Sequence, residues 1–317
     1  MRPLTFLVTG GSGTLGRALI AALLPLASTA RIIVLSRGEH RQAELQRDFP
    51  DPRLECWIGD VRDRDRLAWA FDCLPDVVIH AAALKRVESC EGNTDEARKT
   101  NIDGTHNVVD MAMRANVPKV LVVSSDKACS PETAYGATKA AAEALAIGQN
   151  AWRGSRPTRI SVVRYGNILD SQGAFLHTIL KHRHTGDPLT ITDPRASRFW
   201  WAGSDAAQFI LTVLDRMAGA EIFVPKLVSA RVVDLVRALA PDVPLREGGM
   251  RGAEKIHEAM INATESVYTW ELPDCYVLLP KIGQWWSAQP PQGAMKVPDG
   301  FSFSSDQDPL SVALEGV

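Results

Sequence analysis

The sequence predicts an α/β chain: a Rossmann-type doubly wound parallel sheet followed by a smaller C-terminal substrate-binding lobe. Three observations lead there. Short, nearly continuous β-branched runs alternate with longer amphipathic stretches through the first half of the chain, as parallel strands buried on both faces require. A glycine-rich turn, Thr9-Gly10-Gly11-Ser12-Gly13-Thr14-Leu15-Gly16, follows the first of those runs. The length of 317 residues suits one large domain with an appended lobe better than several independent modules.

The runs Phe6–Thr9, Arg31–Ser36, Leu54–Gly59, Val77–Ala81, Val120–Ser124 and Ile160–Tyr165 are the predicted strands. Between them, Arg17–Leu26, Arg64–Phe71, Thr105–Ala115 and Tyr135–Arg153 carry apolar residues at helical spacing. Residues 1–164 therefore read as the Rossmann core. Beyond it, Pro188, Pro194, Pro225, Pro241, Pro244 and Pro273 punctuate shorter elements. Residues 165–288 read as a substrate-binding lobe interleaved with late core strands. Residues 289–317, rich in Pro, Gly, Ser and Asp, read as an extended tail.

Composition narrows the function. Fractions of 45% hydrophobic and 23% charged residues exclude general disorder. A net charge of −2 gives no electrostatic reason to expect nucleic acid or an anionic membrane as partner. No apolar run approaches the ~18 residues of a spanning helix, and Leu4-Thr5-Phe6-Leu7-Val8 runs straight into the glycine turn with no signal-peptide pattern. The five cysteines are scattered without a CxxC pair, which predicts reduced thiols, a cytoplasmic location and no metal site.

The glycine turn points to a dinucleotide. Gly10, Gly13 and Gly16 let the backbone turn tightly, approach a pyrophosphate and pack the next helix close to the sheet. Ser12, Thr14 and Leu15 then lie where a helix N-terminus offers N–H groups and dipole to the phosphates. At the second strand's end an NAD site commonly has an acidic residue, whereas this chain has Ser36-Arg37-Gly38-Glu39-His40-Arg41. Arg37 and Arg41 suit a 2′-phosphate, which favours NADP; the bland reading is a solvated basic loop. Asp60 and Val61 are then expected beside the adenine, and Ala81, Ala82 and Ala83 where the cofactor passes closely.

A second signal is Tyr135-Gly136-Ala137-Thr138-Lys139, whose tyrosine and lysine share one helix face. An ammonium near the phenol favours phenolate. At ~4 Å and an effective dielectric of ~20 the attraction is worth about 4 kcal/mol, roughly three pK units as an upper bound. Such spacing arises by accident in many helices. Coming shortly after the fifth strand of a glycine-motif fold, it is specific.

With these motifs in order, the chain resembles the extended short-chain dehydrogenase/reductases. TGGSGTLG, GDVRD, HAAALK, Asn101, the serines after the fifth strand, YGATK and VRYGN follow the family order over almost the whole length. Narrower likeness comes from Ser124-Ser125-Asp126-Lys127-Ala128, Tyr165-Gly166-Asn167, Ile191-Thr192-Asp193-Pro194-Arg195, Arg198-Phe199-Trp200, Ile222-Phe223-Val224-Pro225-Lys226, Glu254-Lys255-Ile256-His257-Glu258 and Phe301–Asp306. Together these resemble the soluble UDP-N-acetylglucosamine 4,6-dehydratases that invert C5. The resemblance implies that Tyr135 takes the C4 hydroxyl proton while Lys139 holds the cofactor ribose. Lys127, kept partly neutral by burial and nearby cations, would remove the C5 proton. Asp126, resting protonated, would deliver a proton to the departing C6 oxygen.

The same resemblance places Asn101, Ser124, Tyr165, Asn167 and Ile168 at the cofactor. It places Lys85, Ser125, Asn167, Gln172, Gly173, Ala174, Phe175, Thr192, Arg251 and Glu254 at a UDP-sugar. It also implies a homo-oligomer built on the helices Thr105–Ala115 and Tyr135–Arg153. Three departures from the family pattern stand out: Arg251-Gly252-Ala253-Glu254-Lys255 for Arg-Pro-Gly-Glu-Lys, Ser125 for threonine, and Arg86-Val87 for the histidine and proline usual after Lys85. Adjacent charges such as Asp126-Lys127 are usually a solvated turn; their place at the C-terminal end of a parallel strand argues otherwise. Three alternatives stay open: a nucleotide-sugar 4-epimerase, a non-catalytic NADP-binding sensor, and C5-retaining dehydration, which the resemblance assigns to long membrane-anchored relatives.

Overall fold

The computed structural model describes residues 2–169, 175–250, 252–280 and 289–307. Strands β1 (Leu4–Thr9), β2 (Thr29–Ser36), β3 (Leu54–Ile58), β4 (Val77–His80), β5 (Lys119–Val123) and β6 (Arg159–Val163) pair in the order 3-2-1-4-5-6, all parallel. Each begins or ends within two residues of the run that predicts it. Helices α1 (Thr14–Leu23), α2 (Glu39–Asp48), α3 (Arg64–Phe71), α4 (Val87–Gly92), α5 (Thr94–Arg98), α6 (Gly104–Arg114) and α7 (Ala134–Gln149) cross between them. Alternation of strand side chains divides the core into two layers. Phe6, Val8, Ile32 and Val34 face α1, while Leu7, Ile33 and Leu35 face the layer of Leu67, Val108, Ala112 and Ala146. Two differences from expectation have plain causes. Helix α1 starts at Thr14, with Gly13 as its extended N-cap, which brings the helix end up to the glycine turn. Helix α2 was not foreseen, because only Gln42 and Leu45 of its very polar sequence are buried.

The lobe leaves the core and returns to it. Strand β7 (Asn167–Ile168), α8 (Phe175–Thr185), β8 (Leu189–Ile191), β9 (Ser197–Trp201) and α9 (Gly203–Arg216) lead to β10 (Ile222–Pro225), which joins β6 in parallel as a seventh core strand. After it come β11 (Val228–Arg231), α10 (Val232–Leu239), β12 (Leu245–Glu247), β13 (Ala259–Ile261), β14 (Thr269–Glu271), β15 (Cys275–Leu278), β16 (Met295–Lys296) and β17 (Phe303–Ser304). Antiparallel β15, β14 and β16 complete a ten-stranded sheet. Within the lobe β9 lies between β7 and β11, and β8 pairs with β12.

The described tail residues run back over the body. Phe303 stacks on Phe199 at 4.9 Å and Phe301 on Tyr276 at 5.1 Å, while β17 pairs with β13. Ser305, fully buried, joins Ser197 Oγ at 2.8 Å and accepts from the Glu258 N–H at 2.9 Å. Ser305→Ala strands those partners, so it should lower stability by about 1–3 kcal/mol in denaturant titration. An unchanged midpoint would show that water replaces the hydroxyl without loss.

Candidate active site

The crevice opens where the strand order reverses, between the C-terminal ends of β1 and β4. Gly10 there has φ +71°, and a Cβ on it would lie 2.7 Å from the Ala82 nitrogen. A Cβ on Gly16 would lie 2.3 Å from the Gly11 backbone. Gly10 therefore lets the chain pass against Ala81 and Ala82, and Gly16 lets α1 begin tight against the turn. The space left by these glycines fits a pyrophosphate at the α1 N-terminus. Gly10→Ala combines a left-handed backbone, about 1–2 kcal/mol for a non-glycine residue, with a main-chain clash. It should weaken binding of the reduced nicotinamide dinucleotide at least ~10-fold in a fluorescence titration.

The rim of this crevice is cationic. Ser12 Oγ and Gln42 Nε2 hold Ser36 Oγ at 2.9 and 2.8 Å, which fixes the end of β2. Arg37 reaches Asp60 at 3.7 Å, and Arg62 grips the same carboxylate at 2.7 Å. Burial raises the Asp60 carboxyl, but the Arg62 hydrogen bonds and the two guanidinium charges outweigh it and leave it below the usual range. Val61 packs under Gly104, the first residue of α6. Lys85 is held below the ordinary lysine value by partial desolvation and by the Arg41 and Arg86 cations, which brings Arg41 and Lys85 to one corner. Asn101 spends its amide on the Leu84 backbone, at 2.8 and 3.0 Å, and on Thr138 Oγ1 at 3.0 Å. In this way it pins the loop carrying Ala83 and Lys85 to α7.

Beyond β5 the chain makes a short 3-10 turn, Asp126–Ala128, capped by Ser125. The Asp126 N–H donates to the Tyr165 carbonyl at 2.8 Å, tying this turn to the end of β6. Asp126 is 1% exposed. Its Oδ1 accepts from Ser125 Oγ at 2.8 Å, from the Lys127 N–H at 2.9 Å and from Lys127 Nζ at 3.1 Å. Its Oδ2 is buried and makes no hydrogen bond among the described residues, and the same holds for Ser124 Oγ and Glu258 Oε2. Orphaned buried polar atoms are rare, and three gathered around one turn mark a place built to receive polar groups. Lys127 Nζ also meets Asn167 Oδ1 and Glu258 Oε1, both at 3.4 Å. Gly136 lets α7 abut this turn, since a Cβ there would lie 2.3 Å from the Lys127 carbonyl. Tyr135 is brought beside the pair in consequence.

Electrostatics here differ from the sequence expectation in two ways. Burial alone would lower the Lys127 amine, but the Asp126 and Glu258 carboxylates outweigh it and the opposing Arg198 cation, so the group is raised. Lys127 therefore rests as an ammonium, not partly neutral. Burial likewise pushes the Tyr135 phenol up to about 12, against the pull of Ser125 and Lys127. Lys139 Nζ donates to the Val123 carbonyl at 2.7 Å, and burial lowers it to about 8. Close by, His80 is clamped between Thr9 and Thr105 and pushed down to about 3, chiefly by burial, so it is a neutral core histidine.

The lobe supplies the far wall. Thr192 Oγ1 donates to Glu254 Oε1 at 3.0 Å, and Arg198 binds the same oxygen at 3.2 Å. Phe175 opens α8 and packs against the lobe cluster of Ile179, Leu189, Leu235 and Val236. Ile168 is buried in the core, and Tyr165 lies edge-on to Trp201. Gln172, Gly173, Ala174 and Arg251 lie outside the described residues. Sequence reasoning passed over Glu258 and Arg198 as site residues. Both sit in motifs that carry the family likeness, but only the bridge between Ser197 and His257 reveals their nearness to Lys127. Among the described residues no cluster of potential metal ligands occurs, and no helix is long and apolar enough to cross a membrane.

Sheet order, glycine cradle and the Asp-Lys-Tyr cluster define an extended short-chain dehydrogenase/reductase. The chain belongs to the polysaccharide biosynthesis protein family, which matches residues 6–280. It is 40% identical over 311 residues to the UDP-N-acetylglucosamine 4,6-dehydratase (inverting) of Campylobacter jejuni, covering 96% of this chain and 93% of the relative. It is 34% identical over 280 residues to the UDP-glucose 4-epimerase of Rickettsia massiliae, covering 86% and 82%. The crystal structure of Pen from Bacillus thuringiensis superposes with a TM-score of 0.87 at 30% identity, covering 96% of this chain and 93% of that one.

Proposed function

We propose that the protein is a UDP-N-acetylglucosamine 4,6-dehydratase that inverts C5 and uses a recycled NADP. The observation that carries this reading is the buried Asp126–Lys127 pair beside Tyr135, because exchanging a C4 configuration needs no second acid–base couple. The 40% identical relative supports the same substrate. Arg37 and Arg41 at the end of β2 support NADP over NAD. When bound in the glycine cradle, the nicotinamide would supply a hydride acceptor and later a hydride donor.

The chain's own groups would manage the protons. Tyr135, in the minor fraction ionised to phenolate, takes the proton of the C4 hydroxyl and becomes the neutral phenol. The resulting ketone acidifies C5–H, which passes to the Lys127 amine. One proton shifted across the 3.1 Å contact from Lys127 to Asp126 creates both partners at once, a neutral amine and a carboxylic acid. Asp126 then donates to the departing C6 oxygen, which leaves as water. Ser124 Oγ and Asp126 Oδ2, lacking partners among the described residues, are available for the sugar.

The described cysteines are all unpaired, which supports a reducing, cytoplasmic setting. Trp152, 76% exposed, borders a hollow between the ends of α6 and α7 with Met113 and Arg114, which supports a homo-oligomer contact on those helices. The deciding experiment incubates the pure protein with UDP-N-acetylglucosamine in deuterated water and follows the product by NMR. A 4-keto-6-deoxy sugar carrying deuterium at C5 is expected. An epimer that keeps its C6 oxygen would establish the epimerase reading instead.

A further inference from the structure

We propose that Glu258 is a positioning residue for proton transfer: its carboxylate, 3.4 Å from the Lys127 ammonium, sets the strength of that amine as the C5 base. This rests on the dehydratase reading. Glu258 approaches from the lobe, just ahead of β13, and its backbone is fixed on both sides. Its N–H donates to Ser305 Oγ at 2.9 Å, and its carbonyl accepts from the Ser305 N–H at 2.8 Å. The tail thus holds a carboxylate over an amine that belongs to the β5 turn.

A purely structural ion pair would be expected to satisfy both carboxylate oxygens, since an incompletely bonded buried charge is costly. Here Oε2 is buried and makes no hydrogen bond among the described residues. The charged and titratable groups facing Lys127 are Asp126 on its own turn, Tyr135 from α7, Arg198 from β9 and Glu258. Those facing Glu258 are Lys127, Asp126, Arg198 and Lys255. Burial raises the Glu258 carboxyl, with Lys127 the largest opposing influence. An anion beside the amine has two effects of opposite sign on the rate. It leaves less amine neutral at a given pH, and it makes that amine a stronger base once neutral.

The test avoids hydride transfer. A 4-keto-6-deoxy sugar that keeps the C5 configuration of the substrate, so that its C5–H faces Lys127, is supplied in deuterated water and deuterium entry at C5 is followed against pH. In this step the C5 proton moves to Nζ and the C–H electron pair spreads into the C4 carbonyl. Solvent then exchanges the ammonium hydrogens, and a deuteron returns to C5. For Glu258→Gln the ascending limb should move about one unit toward acid, and the plateau should fall roughly threefold if half the change is felt in the transition state. The two profiles then cross, with the variant faster at low pH and slower at high pH. A uniform fall, or an unmoved limb, overturns the inference. Should the amide variant fail to fold, Glu258→Asp keeps the charge at longer range and should move the limb the same way by less; a limb identical to wild type overturns the proposal. Wild-type protein that exchanges no deuterium refutes the dehydratase reading itself, so the two failures are distinguishable.

Discussion

Lys127→Arg is expected to abolish deuterium entry at C5 while leaving the protein folded and dinucleotide binding intact. A guanidinium stays charged at every working pH, so it can hold Asp126 and Glu258 but cannot accept a carbon-bound proton. General-base removal lowers turnover by about 10²–10⁴-fold. Lys127→Ala should lose the same activity for a less informative reason. It leaves two largely buried carboxylates without their shared ammonium, a loss that destabilises the turn itself. The arginine variant therefore carries the argument, and its thermal midpoint should lie close to that of wild type. Dinucleotide affinity should also be unchanged, because the glycine cradle belongs to β1 and α1 and not to the β5 turn that carries Lys127. C5 exchange at the wild-type rate in Lys127→Arg would remove Lys127 from the base role.

Most of the core was legible because its signals are local. A parallel strand buried on both faces needs a nearly unbroken apolar run, and β1, β2, β4, β5 and β6 each show one. The glycine turn could be read because Gly10 and Gly16 answer backbone geometry within a few residues of themselves. The lobe was harder. Its strands β7, β16 and β17 have two residues each, too few for any periodicity. Their placement depends on long-range pairing, as with β13 and β17, and on the aromatic contacts of Phe301 and Phe303. Glu258 illustrates the limit. Its motif carries the family likeness without marking it as a site residue, and its place beside Lys127 depends on long-range contacts such as those of Ser305 with its backbone. The protonation of Lys127 was likewise only partly within reach of the sequence, since it turns on Asp126 together with that distant carboxylate outweighing desolvation.

Tyr135→Phe is expected to separate the first oxidation from everything after it. The ring lies in a small buried cluster with Cys90 and Ala97, which a phenyl group fills equally well. The only atom lost is the oxygen that would take the C4 proton, and turnover of the nucleotide sugar should fall by about 10²–10⁴-fold. The same variant, given the 4-keto-6-deoxy sugar that keeps the substrate's C5 configuration, should still wash deuterium into C5, because that exchange needs only a ketone and the Lys127 amine. Lys127→Arg should behave in the opposite way on the ketone, giving no exchange. The contrast distinguishes two chemical roles within one small cluster, which loss of activity alone cannot do. Retained turnover in Tyr135→Phe would show that another group accepts the C4 proton. Loss of exchange on the supplied ketone would show that the phenol also serves the C5 step. The phenol, raised to about 12, gains a charge only at alkaline pH, so removing its hydroxyl should leave the Lys127 limb of the exchange profile where it stands in wild type near neutrality.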